Sequence, residues 1–228
     1  MQKSDLQETL FSLYLRLNGY FVTGFVVHAS EGNTTELDTL AVRFPNHKEP
    51  EREVDPCGIL EVSNEKIDFL ICEVKGGTKA ANFNNALRKN KDAIRSVLNR
   101  IGAFENDDLD VVENEIEILM APNKVSKSST IPIVNVPGDK SQIRLILVVP
   151  DQVRPEKKPK SYIYGSDIIE YIWKCFRPEN TREACCVVYN WNLWGEQYRK
   201  LVAYFKDNQR TEPGNMNNIY EHFGIQVP

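Results

Sequence analysis

The sequence predicts an α/β fold with a central mixed β-sheet flanked by helices. Three observations carry that expectation. Leu6, Leu10, Leu13 and Leu17 recur at helical spacing. Residues 20–30, 36–44 and 66–75 are β-branched, aromatic or alternating, as strands are. Helical and extended patterns then succeed one another to the end of the chain.

The first element is a helix, with Ser4 as N-cap and Asn18-Gly19 as its stop. YFVTGFVVHAS (20–30) is a strand, EGNTT a turn, and ELDTLAVRF (36–44) a second strand. Pro45, Pro50 and Pro56 among mixed charges mark 45–65 as an exposed insertion. KIDFLICEVK (66–75) is a third strand, ended by Gly76-Gly77, and these three strands are expected as antiparallel neighbours. A long helix follows, with Phe83, Leu87, Ile94, Leu98 and Ile101 on one stripe. EIEILMAP (115–122) and QIRLILVVP (142–150) read as strands closed by proline, and RPEKKPK (154–160) as a charged loop. SDIIEYIWKCF (166–176) reads as a helix capped by Ser166, ACCVVYNW (184–191) as a strand and LWGEQYRKLVAYFKDN (193–208) as a helix. The last twenty residues are polar and weakly patterned.

The 228 residues are 41% hydrophobic and 26% charged, which suits a folded domain and excludes a disordered chain. A net charge of −4 excludes a globally basic coat for nucleic acid, though not a local basic face. Cys57, Cys72, Cys175, Cys185 and Cys186 form no C-x-x-C pair, so zinc-ribbon and disulfide-scaffold readings find no support. There is no apolar leader and no apolar run near the roughly 20 residues that cross a bilayer, so the expected setting is the reduced cytoplasm.

Chemistry is concentrated in four residues. Side chains two apart on a strand share a face, so Glu36 projects with Asp38, and Glu73 with Lys75. Paired strands lie about 4.8 Å apart, so the right register brings Asp38 and Glu73 together with Lys75 beside them. Crowded carboxylates repel, and a cation relieves the repulsion. Oxygen ligands of this kind suit Mg²⁺ or Mn²⁺. Apolar neighbours (Leu37, Leu40, Phe69, Leu70, Ile71, Val74) make charged groups here costly unless paired or metal-bound. The structural alternative is a cross-strand ion pair on a solvated face.

An N-terminal helix with Glu8, the strand FVTGFVVHAS, E-L-D at 36–38 and F-L-I-C-E-V-K at 69–75 together resemble the PD-(D/E)XK nuclease superfamily. That group holds restriction endonucleases, archaeal-type Holliday-junction resolvases and Mrr-like enzymes. The resemblance covers roughly residues 4–105, more faintly reaches 176, and leaves 180–228 outside. It implies a restriction-endonuclease-like domain over 1–178, with a C-terminal strand-helix extension, 179–228, packed on it. Asp38 matches the motif's aspartate, Glu73 its second acid and Lys75 its lysine, while Glu8 and Glu36 match accessory acids. Leu37 departs from the motif's proline. E-x-K alone says little, since Glu156–Lys158 repeats it in a loop; the combination of elements carries the likeness.

The resemblance implies metal-dependent phosphodiester hydrolysis of nucleic acid, DNA first, of restriction, repair or anti-phage type. Asp38, Glu73 and Lys75 would be catalytic. Asp38, Glu73, Glu8, Glu36 and the Val74 carbonyl would hold Mg²⁺ or Mn²⁺. Two alternatives stand beside it: a non-catalytic nucleic-acid-binding or scaffold module, and an RNA nuclease. A homodimer is expected by analogy, since cutting two strands with one site per chain favours two chains.

Charge is distributed unevenly behind E-x-K. Residues 75–100 carry seven bases (Lys75, Lys79, Arg88, Lys89, Lys91, Arg95, Arg100) and one acid, Asp92, whereas 101–120 carry seven acids and no base. Lys79, Arg88, Lys89, Lys91 and Arg95 are therefore candidate phosphate contacts, with Lys157, Lys158 and Lys160 as a second loop. A solvated helix face is the ordinary alternative. His28, His47 and His222 are scattered, and Trp191 and Trp194 read as packing.

Overall fold

The computed structural model describes residues 1–28, 34–49, 54–77, 81–156, 161–176, 194–208 and 215–226. Helix α1 (Lys3–Leu17) leads into strands β1 (Phe21–His28), β2 (Thr34–Arg43) and β3 (Ile67–Val74), with a 3₁₀ turn at Gly58–Leu60 between the last two. Helices α2 (Asn85–Lys89), α3 (Lys91–Ile101), α4 (Asn106–Met120) and α5 (Lys124–Lys127) follow. Strands β4 (Ile133–Asn135), β5 (Ser141–Val149) and β6 (Tyr162–Tyr164) precede α6 (Gly165–Phe176), α7 (Glu196–Asp207) and α8 (Met216–His222).

The strands form one mixed sheet ordered β1-β2-β3-β5-β4, with β6 also on β5. β1, β2 and β3 are antiparallel neighbours, and β5 runs parallel to β3. β4 pairs antiparallel and β6 parallel with β5. Parallel pairing of β3 and β5 requires a crossover, which α2–α5 supply. A strand hydrogen-bonded on both edges and covered on both faces must be apolar on both, which explains the unbroken FLIC of β3.

Two cores form, one on each face. Leu70 and Cys72 of β3 pack with Leu6, Leu10 and Leu13 of α1, Ile172 of α6 and Phe205 of α7. Phe69 and Ile71 pack with Leu87, Ile94, Leu98 and Ile116 of α2–α4. Tyr198, Leu201, Met216, Ile219 and Tyr220 of α7 and α8 belong to the first core, so both C-terminal helices pack into it.

Four local expectations are corrected. Residues 115–122 form no strand; α4 runs through to Met120. Glu115–Ile118 alternate, but Leu109, Val112, Ile116 and Met120 are the buried positions, at helical spacing, while Val111 and Ile118 face out. The single helix expected over 83–101 is two, divided at extended Asn90, whose side chain accepts from the Asp92 N–H. The insertion at 45–65 is not wholly exposed, because Leu60 is fully buried. Ser4 and Ser166 lie inside helices that begin at Lys3 and Gly165. The strand expected at 184–191 lies outside the described residues. No helix among the described residues is long and apolar enough to cross a membrane.

The sheet end away from E-x-K is held by a buried ion pair. Arg144 Nε donates to both Asp68 oxygens (3.0 and 3.1 Å), and Tyr20 Oη donates to Asp68 Oδ2 at 2.6 Å. Gln142 Nε2 donates to Asp68 Oδ1 (2.8 Å), and the Arg144 guanidinium also donates to the Ile59 and Leu60 carbonyls. Buried charge is tolerated here because every donor and acceptor is answered. Arg144→Met should therefore cost about 3–5 kcal/mol in urea unfolding, by stranding Asp68, and adding Asp68→Leu should recover part of that loss.

Candidate functional site

The site begins with a fault in the β1–β2 ladder. Thr23 faces Leu40 but Phe25 faces Leu37, so Asp38 and Thr39 together oppose Gly24. Two residues against one make a β-bulge, which resets the alternation of the strand beyond it. Leu37 then packs into the second core, while Glu36 and Asp38 turn to the α1 face. Gly24 is what the bulge needs, because a Cβ there would stand 2.9 Å from the Asp38 carbonyl oxygen.

Glu36 and Asp38 line an open cleft of about 580 Å³ with Glu8, Thr9 and Ser12 of α1, Val22–Val26 of β1 and Gln197 and Tyr198 of α7. Three acids from two elements thus share one concavity. Asp38 reaches the neighbouring strand, its Oδ2 accepting the Val74 N–H at 2.8 Å.

Glu73 and Lys75 are not among the residues lining that cleft. β3 alternation puts Glu73 with Phe69 and Ile71, on the α2–α4 face. There Glu73 is buried, ion-paired with Lys75, and its Oε2 accepts the Asn84 N–H at 3.2 Å. Lys75 Nζ also donates to Asn84 Oδ1 at 2.7 Å. Glu73 Oε1 is buried with no hydrogen-bond partner among the described residues. Asn84, just ahead of α2, thus completes the pair; the sequence signal for it was an asparagine preceding a helical stripe.

The two groups of charges feel each other across Val74. Burial, then Asp38, Glu36 and Asp5, push the Glu8 carboxyl up to about 7, against Lys75, which lowers it. Burial pushes Glu73 up to about 7 as well; Lys75 opposes the rise, Asp38 adds to it, and the Asn84 N–H opposes it. Both carboxyls are partly protonated at neutral pH and would release the proton to a cation.

All the candidate donors are carboxylate or carbonyl oxygens, the chemistry Mg²⁺ and Mn²⁺ prefer. The unanswered Glu73 Oε1 and the crowded Glu8 carboxyl are oxygen donors on the α2–α4 and α1 sides of the sheet respectively. As the side chains stand, no group of three acid, histidine or cysteine residues among the described residues encloses an ion.

The basic run is partly consumed inside the fold. Arg95 is ion-paired with Asp110 and Glu113 of α4, so basic α3 and acidic α4 neutralise each other there. That pairing removes Arg95 as a free phosphate contact. Arg88 donates to the Phe83 carbonyl and to Asn85. The Arg100 guanidinium sits 4.6 Å from the Phe25 ring centroid, and Lys89 is exposed. Lys79, Lys157, Lys158, Lys160 and the Lys91 side chain lie outside the described residues.

Comparison with known protein families, with curated proteins and with solved structures finds no match to this chain.

The raised carboxyls make stability depend on pH with a definite sign. Glu8 and Glu73 hold protons more tightly folded, to about 7, than at their ordinary value of 4.5. Their contribution is full below the ordinary value and is lost as pH rises through about 7. The urea midpoint should therefore fall between about pH 5 and pH 8, and Glu8→Gln should flatten that fall. A midpoint that rises over this window in the native protein would contradict the assignment.

Proposed function

We propose that this chain is a metal-dependent nuclease, acting on DNA, built on a restriction-endonuclease-like core. The observation that carries the reading is Asp38 bonded to the Val74 N–H, one residue from both Glu73 and Lys75, with Glu8 sharing the Asp38 cleft. Helix α1, strands β1, β2 with E-x-D and β3 with E-x-K, and the helices after them keep the element order on which the resemblance rests.

Asp38, with Glu8 and Glu36 in the cleft, would hold Mg²⁺ or Mn²⁺, and Glu73 and the Val74 carbonyl would complete the shell only if the Glu73 side chain turned from the α2–α4 face toward Asp38. When bound, the ion supplies Lewis-acid activation of water and neutralises charge on the scissile phosphate. The chain's own residues do the rest. Lys75, oriented by Glu73 and Asn84, presents an ammonium to the negative charge that develops on the phosphate. Glu8, crowded by Asp38, Glu36 and Asp5, would give up its proton when the ion binds. Asp38 keeps β2 and β3 in step at the point where the two acids must cooperate.

A second reading is favoured by one observation, the absence of an ion-enclosing trio among the described residues. In that reading the fold binds nucleic acid without cutting it.

Incubation with duplex DNA, single-stranded DNA and RNA, in Mg²⁺, Mn²⁺ or EDTA, separates the readings. Cleavage of DNA should require the metal and fall about a hundredfold or more in Asp38→Ala and in Lys75→Ala. Mg²⁺ should raise the melting temperature of the native protein and of Lys75→Ala, but not of Asp38→Ala. Cutting that survives both substitutions rejects the assignment; cutting confined to RNA moves the substrate; binding without cutting selects the second reading.

A further inference from the structure

Strand β1 forms one edge of the sheet, and among the described residues no strand pairs with its outer side. Its sequence, FVTGFVVH, holds no lysine, arginine, acid or proline. The opposite side of the sheet is blunted, because β4 and β6 on β5 are each only three residues long. Long edges are commonly guarded by charge, proline or a bulge of their own, since bare N–H and C=O groups invite another strand. β1 has none of these, because the extra residue of the bulge belongs to β2. Large apolar side chains also gather at this edge in water. Phe21 is 64% exposed, and Val26 and Phe44 are each 52% exposed. The Phe21 and Phe44 rings meet edge to face, 6.0 Å between centroids.

Alternation assigns the β1 side chains to faces. Val22 packs with the first core, so Gly24 and Val26 share its side, toward α1. Phe25 and Val27 pack with the second core, so Phe21 and Thr23 lie on the α2–α4 side. A second copy laid antiparallel along the edge is related to the first by a twofold axis through the sheet. It keeps both faces only where residues of like face stand opposite. Gly24 against Gly24 meets that condition. Val22 then opposes Val26 of the second copy, Thr23 opposes Phe25, and Phe21 opposes Val27. The exposed Phe21 and Val26 thereby gain apolar neighbours. Charge selects the same occupant. On the α1 side, Arg16 lines a hollow with Phe21 and Val22 at one end of β1, and Glu36 faces Val26 near the other end. Glu49 shares the Arg16 hollow, where His47 meets it at 3.0 Å. An antiparallel copy sets the arginine end of each strand beside the Glu36 end of the other, and β1 itself brings no like charges together.

We infer that two copies of this chain pair through β1, antiparallel and centred on Gly24, to make one continuous sheet. Strand β2 of one copy then lies three strand spacings, about 14 Å, from β2 of the other. Both carboxylate clefts open on the same face of that sheet. Their mutual repulsion is weakened by salt, whose screening length is about 8 Å at physiological strength. Two such clefts side by side could each meet one strand of a duplex. That consequence rests on the nuclease reading; the pairing itself does not.

The test is the mass of the full chain by light scattering across a dilution series. The native protein should be a dimer that dissociates on dilution. Thr23 is exposed, and in this register the two Thr23 side chains lie diagonally across the axis, about 7–8 Å apart. Thr23→Lys alone and Thr23→Glu alone should each raise the dimer dissociation constant about tenfold or more, by placing like charges together. Mixing the two variants in equal amounts should restore the dimer, because unlike charges then face each other. That recovery also shows that both variants are folded. A monomeric native protein overturns the pairing. So do single variants that dimerise like the native chain, and a mixture that stays monomeric. DNA cleavage that requires Asp38 in a monomeric protein sinks the pairing alone. A dimer that follows the Thr23 charges but cuts nothing sinks the nuclease reading alone.

Discussion

The β2 bulge opposite Gly24 sets the direction of Glu36 and Asp38 in the first hairpin. Side chains on a strand have a period of two, so a slip of one residue exchanges the faces. Without the extra residue, Asp38 would share a face with Leu40 and Val42 and point into the apolar core under α2–α4. With it, Glu36 and Asp38 stand against α1, where Glu8 waits one helical turn above Ser12. A bulge is tolerated here because glycine lets the two backbones approach to a distance that a Cβ would obstruct.

That placement concentrates negative charge, and the molecule bears the cost in proton affinity rather than in neutralising pairs. Glu8 has acids for neighbours, and Lys75 is its counterweight. Glu73 has Lys75 and an N–H from Asn84, yet one of its oxygens is unanswered. The contrast with Asp68 is instructive. Both acids are fully buried on the same strand, but Asp68 is met by Arg144, Tyr20 and Gln142. An acid answered on every side is structural; one held in surplus charge is available for a ligand.

Much of this was legible from residues. The leucines of α1, the apolar run of β3 and the stripe on α3 announced their elements, because burial imposes those periods. E-x-D and E-x-K marked themselves by interrupting apolar strands. What sequence could not give was the bulge, since a single inserted residue leaves the alternation on either side intact. Alternation also misled at Glu115–Ile118, where buried Ile116 and exposed Ile118, between glutamates on one helix, imitated a strand. The basic run after E-x-K showed its charges but not their partners, and Arg95 turned out to be matched to α4. The weakly patterned tail gave no sign of α8, because only Met216, Ile219 and Tyr220 of its seven residues are buried.

That tail matters for the site more than its composition suggests. Tyr220 Oη donates to Asp151 Oδ1 at 2.6 Å, and Gln7 Nε2 donates to both residues. The Gly77 N–H and Lys3 meet the other oxygen of Asp151, at 2.6 and 3.0 Å. Burial would raise this carboxyl, but the Tyr220, Gly77 and Lys3 bonds hold it below its ordinary range, so it stays an anion and keeps every contact. Asp151 thereby joins the helix that carries Glu8, the turn directly after Lys75 and the last helix of the chain. A hydrophobic contact could bring these segments together, but it would not fix their register. Directional bonds to one half-buried charge do. The relative position of Glu8 and the E-x-K strand is therefore set partly by residue 220, and α7 adds the Tyr198 wall of the same cleft. Geometry that a helix and a strand near the beginning of the chain require is completed by its end.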